Sequence, residues 1–352
     1  AGRERVLAAY AEAVREGYSI RSVLQSPTNL EISEPQCTNG GDVWKVRGGP
    51  GGASSLVTAT KNSINTVFAQ LMVRLGPQAV ADLAMDMGVS SLADQQVQCS
   101  WVLGSGEVSV MDMAAAYSTL ANEGVAKSPI VVTRVEFPDG SVRTYEATEK
   151  QVLTPEQAAR VTYSLEQVIQ GGTGREANFG RPAAGKTGTT QNNADGWFVG
   201  YTPELTAAVW MGFPEGQIPM RNVHGMSVQG GNFPARIWNR FMTGATVNLE
   251  TSEFREWDDE VLGDGETLDP NLGKTSVIAT GPGQTPTSQP SQTTVAGGST
   301  TSTTSAGGGS STTAPPATTA PPATTAPPTT AAPPTTAAPA AAGGADPPAA
   351  AN

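Results

Sequence analysis

Histidine and cysteine are scarce: His224, Cys37 and Cys99 are the only three such residues in a chain of 352. A structural zinc site draws four ligands from these two residue types, so three of them argue against one. No metal or cofactor is expected. The two cysteines leave free thiols or, in an exported chain, a disulfide open as alternatives, because sequence does not fix the distance between them. No apolar run reaches the ~20 residues that cross a bilayer, and no segment has the pattern of a secretory signal. Cations are also in short supply, with 21 Lys and Arg against 32 Asp and Glu, a net charge of −11. Nucleic-acid binding needs clustered positive charge, so a nucleic-acid partner is excluded. The first residue is Ala rather than Met. The chain is read as the C-terminal part of a longer protein, with a membrane anchor expected in a missing N-terminal segment.

The charge is uneven. Between Glu253 and Asp269 stand eight acids and one base, Arg255, a net of −7. This stretch reads as a solvated boundary. Beyond about Ser276 the chain is almost wholly Gly, Ser, Thr, Ala, Pro and Gln, and Pro-Pro and Thr-Thr recur through "APPATTAPPATTAPPTTAAPPTTAAP". So little apolar surface cannot offset the entropy of ordering the chain, and a solvated tail with polyproline II character is expected. Three regions follow: a folded domain over 1–250, an acidic linker over 251–275 and a disordered Pro/Thr/Ala-rich tail over 276–352.

Within the domain, periodicity separates helices from strands. In "TKNSINTVFAQLMVRLGP", Ile64, Val67, Phe68, Leu71, Met72 and Leu75 mark one face of a helix. Ser63 stands at its start, where a serine most often serves as N-cap. Further helices are predicted over 77–88, over 109–124 and after Thr154, where Thr154, Pro155 and Gln157 form a capping-box sequence. A hairpin is predicted over 130–147 around Pro138-Asp139-Gly140. Two strands, "DGWFVGY" and "LTAAVWMGF", flank Thr202-Pro203-Glu204, and a last helix begins at Pro234. The pattern predicts an α/β (α+β) domain with an antiparallel sheet.

Chemistry concentrates in "AAGKTGTTQNNADGWFVGYTP". Lys186 lies between Gly185 and Gly188, with Thr187, Thr189 and Thr190 beside it. The glycines let another molecule approach the backbone, and an ammonium beside hydroxyls suits recognition of a carboxylate. More than a hundred residues earlier stands Ser63-Ile64-Asn65. Ser-x-Asn followed by Lys-Thr-Gly is the motif order of penicillin-binding serine acyltransferases. With "SINTVFAQL", "VSVMDMAAAYSTLANEGV", "GGTGREA" and "GGNFPARIWNRFM", the chain from about Val6 to Gly244 resembles the transpeptidase domain of a class A, bifunctional penicillin-binding protein of actinobacterial type. His224, in a glycine-rich loop, is read as a loop residue, since this class uses lysine as its base.

The resemblance implies the penicillin-binding protein and serine β-lactamase-like fold, an antiparallel sheet flanked by helices, and a domain over 1–250. It implies peptidoglycan stem peptides ending in D-Ala-D-Ala as substrate, β-lactams as ligands and an extracytoplasmic place at the bacterial cell membrane and wall. Ser63, Asn65 and Lys186 become the catalytic candidates: Lys186 assists proton transfer with Ser63, and Asn65 holds the substrate amide and orients a catalytic lysine. Thr187, Gly188 and Thr189 become the substrate-binding candidates, with the Thr189 N–H as half of an oxyanion hole. The family's nucleophile lies in Ser-x-x-Lys. Asp42, Thr58, Gly124, Ala147, Ala183 and Asn271 stand three residues before the six lysines, so the chain has no such motif. Counting back from "VLAAYAEAVREGYSI" puts it near Arg3 to Val6 or just before Ala1. A displaced reading at the chain start is expected, with loss of activity as the alternative and Ser63 as a fallback nucleophile. A non-catalytic binding or scaffold protein, and a D,D-carboxypeptidase or β-lactamase-like hydrolase, are the competing functions.

Overall fold

Thr154, Pro155 and Gln157 illustrate how local sequence sets the elements. In the computed structural model the Thr154 hydroxyl accepts from the Gln157 N–H (3.3 Å), and the Gln157 side chain accepts from the Thr154 N–H (2.9 Å). This is the reciprocal cap that the order of residues predicts. The structure describes residues 6–38, 43–257 and 277–280. All of them fall in a unit spanning 1–287, and the other unit, 288–352, lies outside the described residues. So do residues 258–276, and with them most of the predicted linker and tail.

In chain order the described elements are α1 (Val6–Arg15), β1 (Val23–Gln25), β2 (Asn29–Ile32), β3 (Trp44–Arg47), β4 (Ala53–Ser55), α2 (Leu56–Asn62), α3 (Asn65–Leu75) and α4 (Pro77–Asp86). There follow α5 (Val110–Ala121), β5 (Val125–Lys127), β6 (Arg134–Glu136), β7 (Val142–Thr144), β8 (Glu149–Gln151) and α6 (Pro155–Gly171). The series ends with β9 (Ala184–Thr189), β10 (Gly196–Tyr201), β11 (Thr206–Met211), α7 (Phe233–Ala245) and β12 (Val277–Thr280).

The sheet that carries the site is antiparallel, in the order β11-β10-β9. Its middle strand shows the period of two. Trp197, Val199 and Tyr201 enter a large core built with α1, α3, α4, α5 and α6. Phe198 enters a second core with Ala235, Trp238 and Met242 of α7. Gly200 is needed on this second face, because a Cβ there would press on the Trp238 and Phe198 rings and the Ala184 carbonyl. Both faces are therefore covered by helices, and the mixed architecture expected from the pattern is the one observed. Smaller antiparallel pairs are β1–β4, β5–β8 and β6–β7, the last within the predicted hairpin. Cys37 and Cys99 form a disulfide, with Cα atoms 5.1 Å apart, which closes the question the sequence left open.

Two boundaries differ from the sequence reading. The packed body extends past Glu250. The Ser252 N–H donates to the Glu204 carboxylate (2.7 Å), Phe254 meets Tyr201 edge-on (5.5 Å), Arg255 pairs with Glu123 (3.1 Å) and Trp257 packs on Tyr163 (5.3 Å). Two aromatics sit among the acids here, and their burial outweighs the preference of the acids for water. Further on, β12 pairs antiparallel with β2, so that four residues counted with the tail belong to a sheet. Val277 and Ile278 are β-branched, unlike the small and polar residues around them.

The segment 251–257 bears on one titration. Burial, and then the nearby Glu253, push the Glu166 carboxyl up from 4.5 to about 7. The folded state therefore keeps a proton that the unfolded chain releases, so this group contributes stability that is lost as pH rises from 4.5 to about 7. Glu166→Gln should raise unfolding free energy above about pH 8 by about 1 kcal/mol, a partly wetted site retaining only part of the shift. The gain should vanish below pH 4.5. Urea melts of both proteins across this range measure it.

Candidate active site

Strand alternation places the polar groups of β9. Lys186 lies opposite Val199 and Thr187 opposite Phe198, so Lys186 points to the face of the large core and Thr187 to the face that α7 covers. Lys186 is 0% exposed. An ammonium so enclosed is tolerated only if hydrogen-bonded. Its Nζ donates to Ser63 Oγ (2.9 Å) and to the Thr187 carbonyl (3.0 Å). Residues 123 positions apart thus meet side chain to side chain.

The backbone explains how Ser63 reaches that place. It does not cap α3: Ile64 is the N-cap and makes no side-chain cap bond. Ser63 instead closes α2 in the left-handed conformation, φ 57° and ψ 51°, with its N–H bonded to the last turn of α2. An N-cap needs extended backbone, whereas the end of a helix readily takes a left-handed residue, usually Gly because a Cβ is strained there. The predicted helix therefore begins where expected, as α3, but α2 ends immediately before it, and the Ser63 hydroxyl meets Lys186 instead of capping α3. Residues held in such conformations concentrate at functional sites.

A cleft of about 390 Å³ opens beside this pair. Ser63, Thr187 and Thr189 line it, together with Thr173, Arg175, Glu176 and the segment around Gln229 to Asn232. The Thr187 and Thr173 hydroxyls are 2.7 Å apart, so one donates to the other and one proton is left over. Thr189 Oγ1 accepts from the Gly230 N–H (3.0 Å). Its own proton is then available to an acceptor in the cleft. Gly230 lies so close to Gly188 that a Cβ on Gly230 would strike the Gly188 backbone and the Trp197 carbonyl.

Asn65 is placed differently. Its Nδ2 donates to the Arg47 carbonyl (2.8 Å), while its buried Oδ1 has no partner among the described residues. It is not among the residues that line the cleft. His224 is exposed in a turn, at φ 49°, and also lies off the cleft lining. Sequence reasoning missed Thr173, Arg175 and the Gly230–Gly231 turn as site residues. The doubled glycines at 171–172 and 230–231 were the available signal, since both mark close backbone approach. Residues 1–5, where the Ser-x-x-Lys would fall by one count, lie outside the described residues.

The Ser-x-Asn and Lys-Thr-Gly segments thus converge through their Ser and Lys members at one polar cleft. The family model for the penicillin-binding protein transpeptidase domain matches residues 26–217. The chain belongs to this family. It is 34% identical over 245 residues to penicillin-binding protein 1A of Mycobacterium tuberculosis, a match covering 63% of this chain and 30% of that protein. The penicillin-binding protein 1A of Mycolicibacterium smegmatis matches at 34% over 244 residues, with 63% and 31% covered. The chain therefore spans about a third of the length of these curated relatives. The structure of PonA1 from M. tuberculosis in complex with penicillin V superposes with a TM-score of 0.65 at 31% identity, over 77% of this chain and 74% of that one. As the sequence resemblance implied, the domain is a penicillin-binding transpeptidase domain of the class A type.

The Gly230 contact gives a direct test of how the cleft is held. Gly230→Ala should destabilise the domain by about 2 kcal/mol, as overpacking against backbone does. It should also weaken binding of any ligand that uses the Thr189 hydroxyl, because the N–H that orients it moves away. Denaturant melts read the first effect and penicillin titration the second. An unchanged midpoint would show that the loop yields freely.

Proposed function

We propose that the cleft takes the D-Ala-D-Ala end of peptidoglycan stem peptides, and the β-lactams that resemble it, and serves D,D-transpeptidation outside the cytoplasm. The observation that carries this reading is the Lys186–Ser63 hydrogen bond of 2.9 Å beside the Thr187 and Thr189 hydroxyls, in one cleft. A stem peptide ends in a carboxylate. The spare protons of the threonine hydroxyls, with the Lys186 charge behind them, suit that anion. Ser63 accepts from Lys186 and keeps its own proton for the cleft side, so the pair forms a path for a proton moving between a nucleophile and a leaving amine. The Thr189 N–H serves as half of the oxyanion hole. Asn65 keeps an unpartnered Oδ1, an acceptor suited to orienting a second ammonium.

In the transfer itself, a serine oxygen attacks the D-Ala-D-Ala carbonyl, D-Ala leaves with a proton, and the amine of a neighbouring stem displaces the serine. This chain has the receiving groups and no Ser-x-x-Lys to supply that oxygen. A site that binds without acylating is the second reading, and covalent labelling separates the two. The Cys37–Cys99 disulfide fits an oxidising compartment. Among the described residues no helix is long and apolar enough to cross a membrane. Attachment to the membrane is part of the proposal and falls to sequence upstream. The penicillin V complex of PonA1 supports the β-lactam part.

A fluorescent penicillin tests the reading. With the chain as it stands, the label should bind reversibly, be displaced by unlabelled penicillin and be lost in SDS. With a Ser-x-x-Lys segment restored upstream of Val6, the label should survive SDS. Lys186→Ala should then slow acylation by about 10²-fold or more, the usual scale for a lost proton-transfer group. An extended chain that neither acylates nor shows competition would sink the proposal, while reversible binding that never becomes covalent would favour the second reading.

A further inference from the structure

We propose that Arg175 reads a second carboxylate, on the side chain of the residue preceding D-Ala-D-Ala, and so selects dicarboxylate peptides over their amides. The inference rests on the function proposed above and names which peptides the cleft prefers. It begins from the polar and charged side chains in the cleft and just behind it. Lys186 is engaged with Ser63 and with the Thr187 carbonyl. Glu176 is taken up by Arg236, at 3.1 Å. Asn232 has its side chain committed to the N–H groups of Gln229 and Phe233 and to the Ser227 carbonyl. Arg175 remains. It lines the cleft and is exposed, and no described residue supplies an acceptor to its guanidinium.

The backbone beneath Arg175 is fixed. Arg175 opens a 3-10 turn, Arg175–Ala177, whose Ala177 is 0% exposed. Gly174 precedes it so tightly packed that a Cβ would meet Phe198 at 3.0 Å and Val168 at 3.1 Å. On the other side, Asn239 of α7 donates to the carbonyls of Glu176 (3.2 Å) and Asn178 (2.8 Å). The fixed backbone sets where the side chain starts, and the planar fork of the guanidinium matches a carboxylate. The terminal carboxylate does not need it, because the threonine hydroxyls supply donors and the Lys186 charge lies behind them. Arg175 is a surplus cation in a cleft whose only lining acid, Glu176, is neutralised elsewhere. The surplus calls for a second anion on the ligand.

Calorimetry on the full chain tests this with two near-isosteric probes, N-acetyl-L-Glu-D-Ala-D-Ala and N-acetyl-L-Gln-D-Ala-D-Ala. The Glu peptide should bind about tenfold tighter, the scale of one charge-assisted pair. Arg175→Gln should bring the ratio of the two affinities to about one, and Arg175→Glu should invert it. Arg175 is exposed, so both variants should fold, and far-UV circular dichroism checks that they do. A ratio unchanged in both variants overturns the assignment. So does an equal loss for both peptides, which would put Arg175 on the terminal carboxylate. If the native chain binds neither peptide, the proposed function itself fails and takes this inference with it.

Discussion

The ammonium of Lys186 is the constraint around which the site is organised. A cation at 0% exposure forfeits its hydration and must be met by fixed oxygen atoms. One is a backbone carbonyl from its own strand and another is the Ser63 hydroxyl. Placing that hydroxyl holds a serine at φ 57° in the break between α2 and α3, a local cost the surrounding packing must offset. Val67, Phe68, Leu71 and Met72 of α3, all fully buried, supply that packing. The strain of the break and the burial of the charge are therefore two sides of one arrangement.

Glycines do the complementary work on the other face of β9. Gly230 and Gly231 approach the backbones of Gly188 and Thr173 more closely than any side chain permits. This approach brings the Gly230 N–H to the Thr189 hydroxyl and so limits which way that hydroxyl's proton points. Hydroxyl direction is usually free to rotate. Here one lone pair is already used, which narrows the directions left to the proton before any ligand arrives. Preorganisation of this kind lowers the entropic cost of binding an anion.

Much of the fold was legible in the sequence. Alternation gave β10 and β11, the capping box gave α6 to the residue, and Ser109 and Pro77 marked the starts of α5 and α4. What failed was what depends on tertiary context. The start of a helix near Ser63 is legible in the apolar spacing, but nothing local shows that α2 ends just before it or that Ser63 is left-handed and not an N-cap. The segment 251–257 reads as solvated because of its acids, yet Phe254 and Trp257 dock on aromatic partners far away in sequence. At the site, the Ser-x-Asn and Lys-Thr-Gly signatures found Ser63, Lys186, Thr187 and Thr189. They did not reveal Thr173 or Arg175, because those residues matter through geometry and belong to neither signature.

Recognition and covalent chemistry are separable in this fold. The groups suited to an anion sit on β9, on the turn that begins at Gly171 and on the Gly230–Gly231 turn, each anchored by contacts that do not involve α1. A missing nucleophile removes the acyl step without disturbing any of them. In the proposed reading, affinity for a carboxylate-bearing ligand rests on the threonine hydroxyls, on the Lys186 charge behind them and on Arg175, whereas turnover depends also on the serine oxygen of the family's motif. Binding thus identifies what the cleft is for, and acylation reports only whether the chain that carries it has the remaining group.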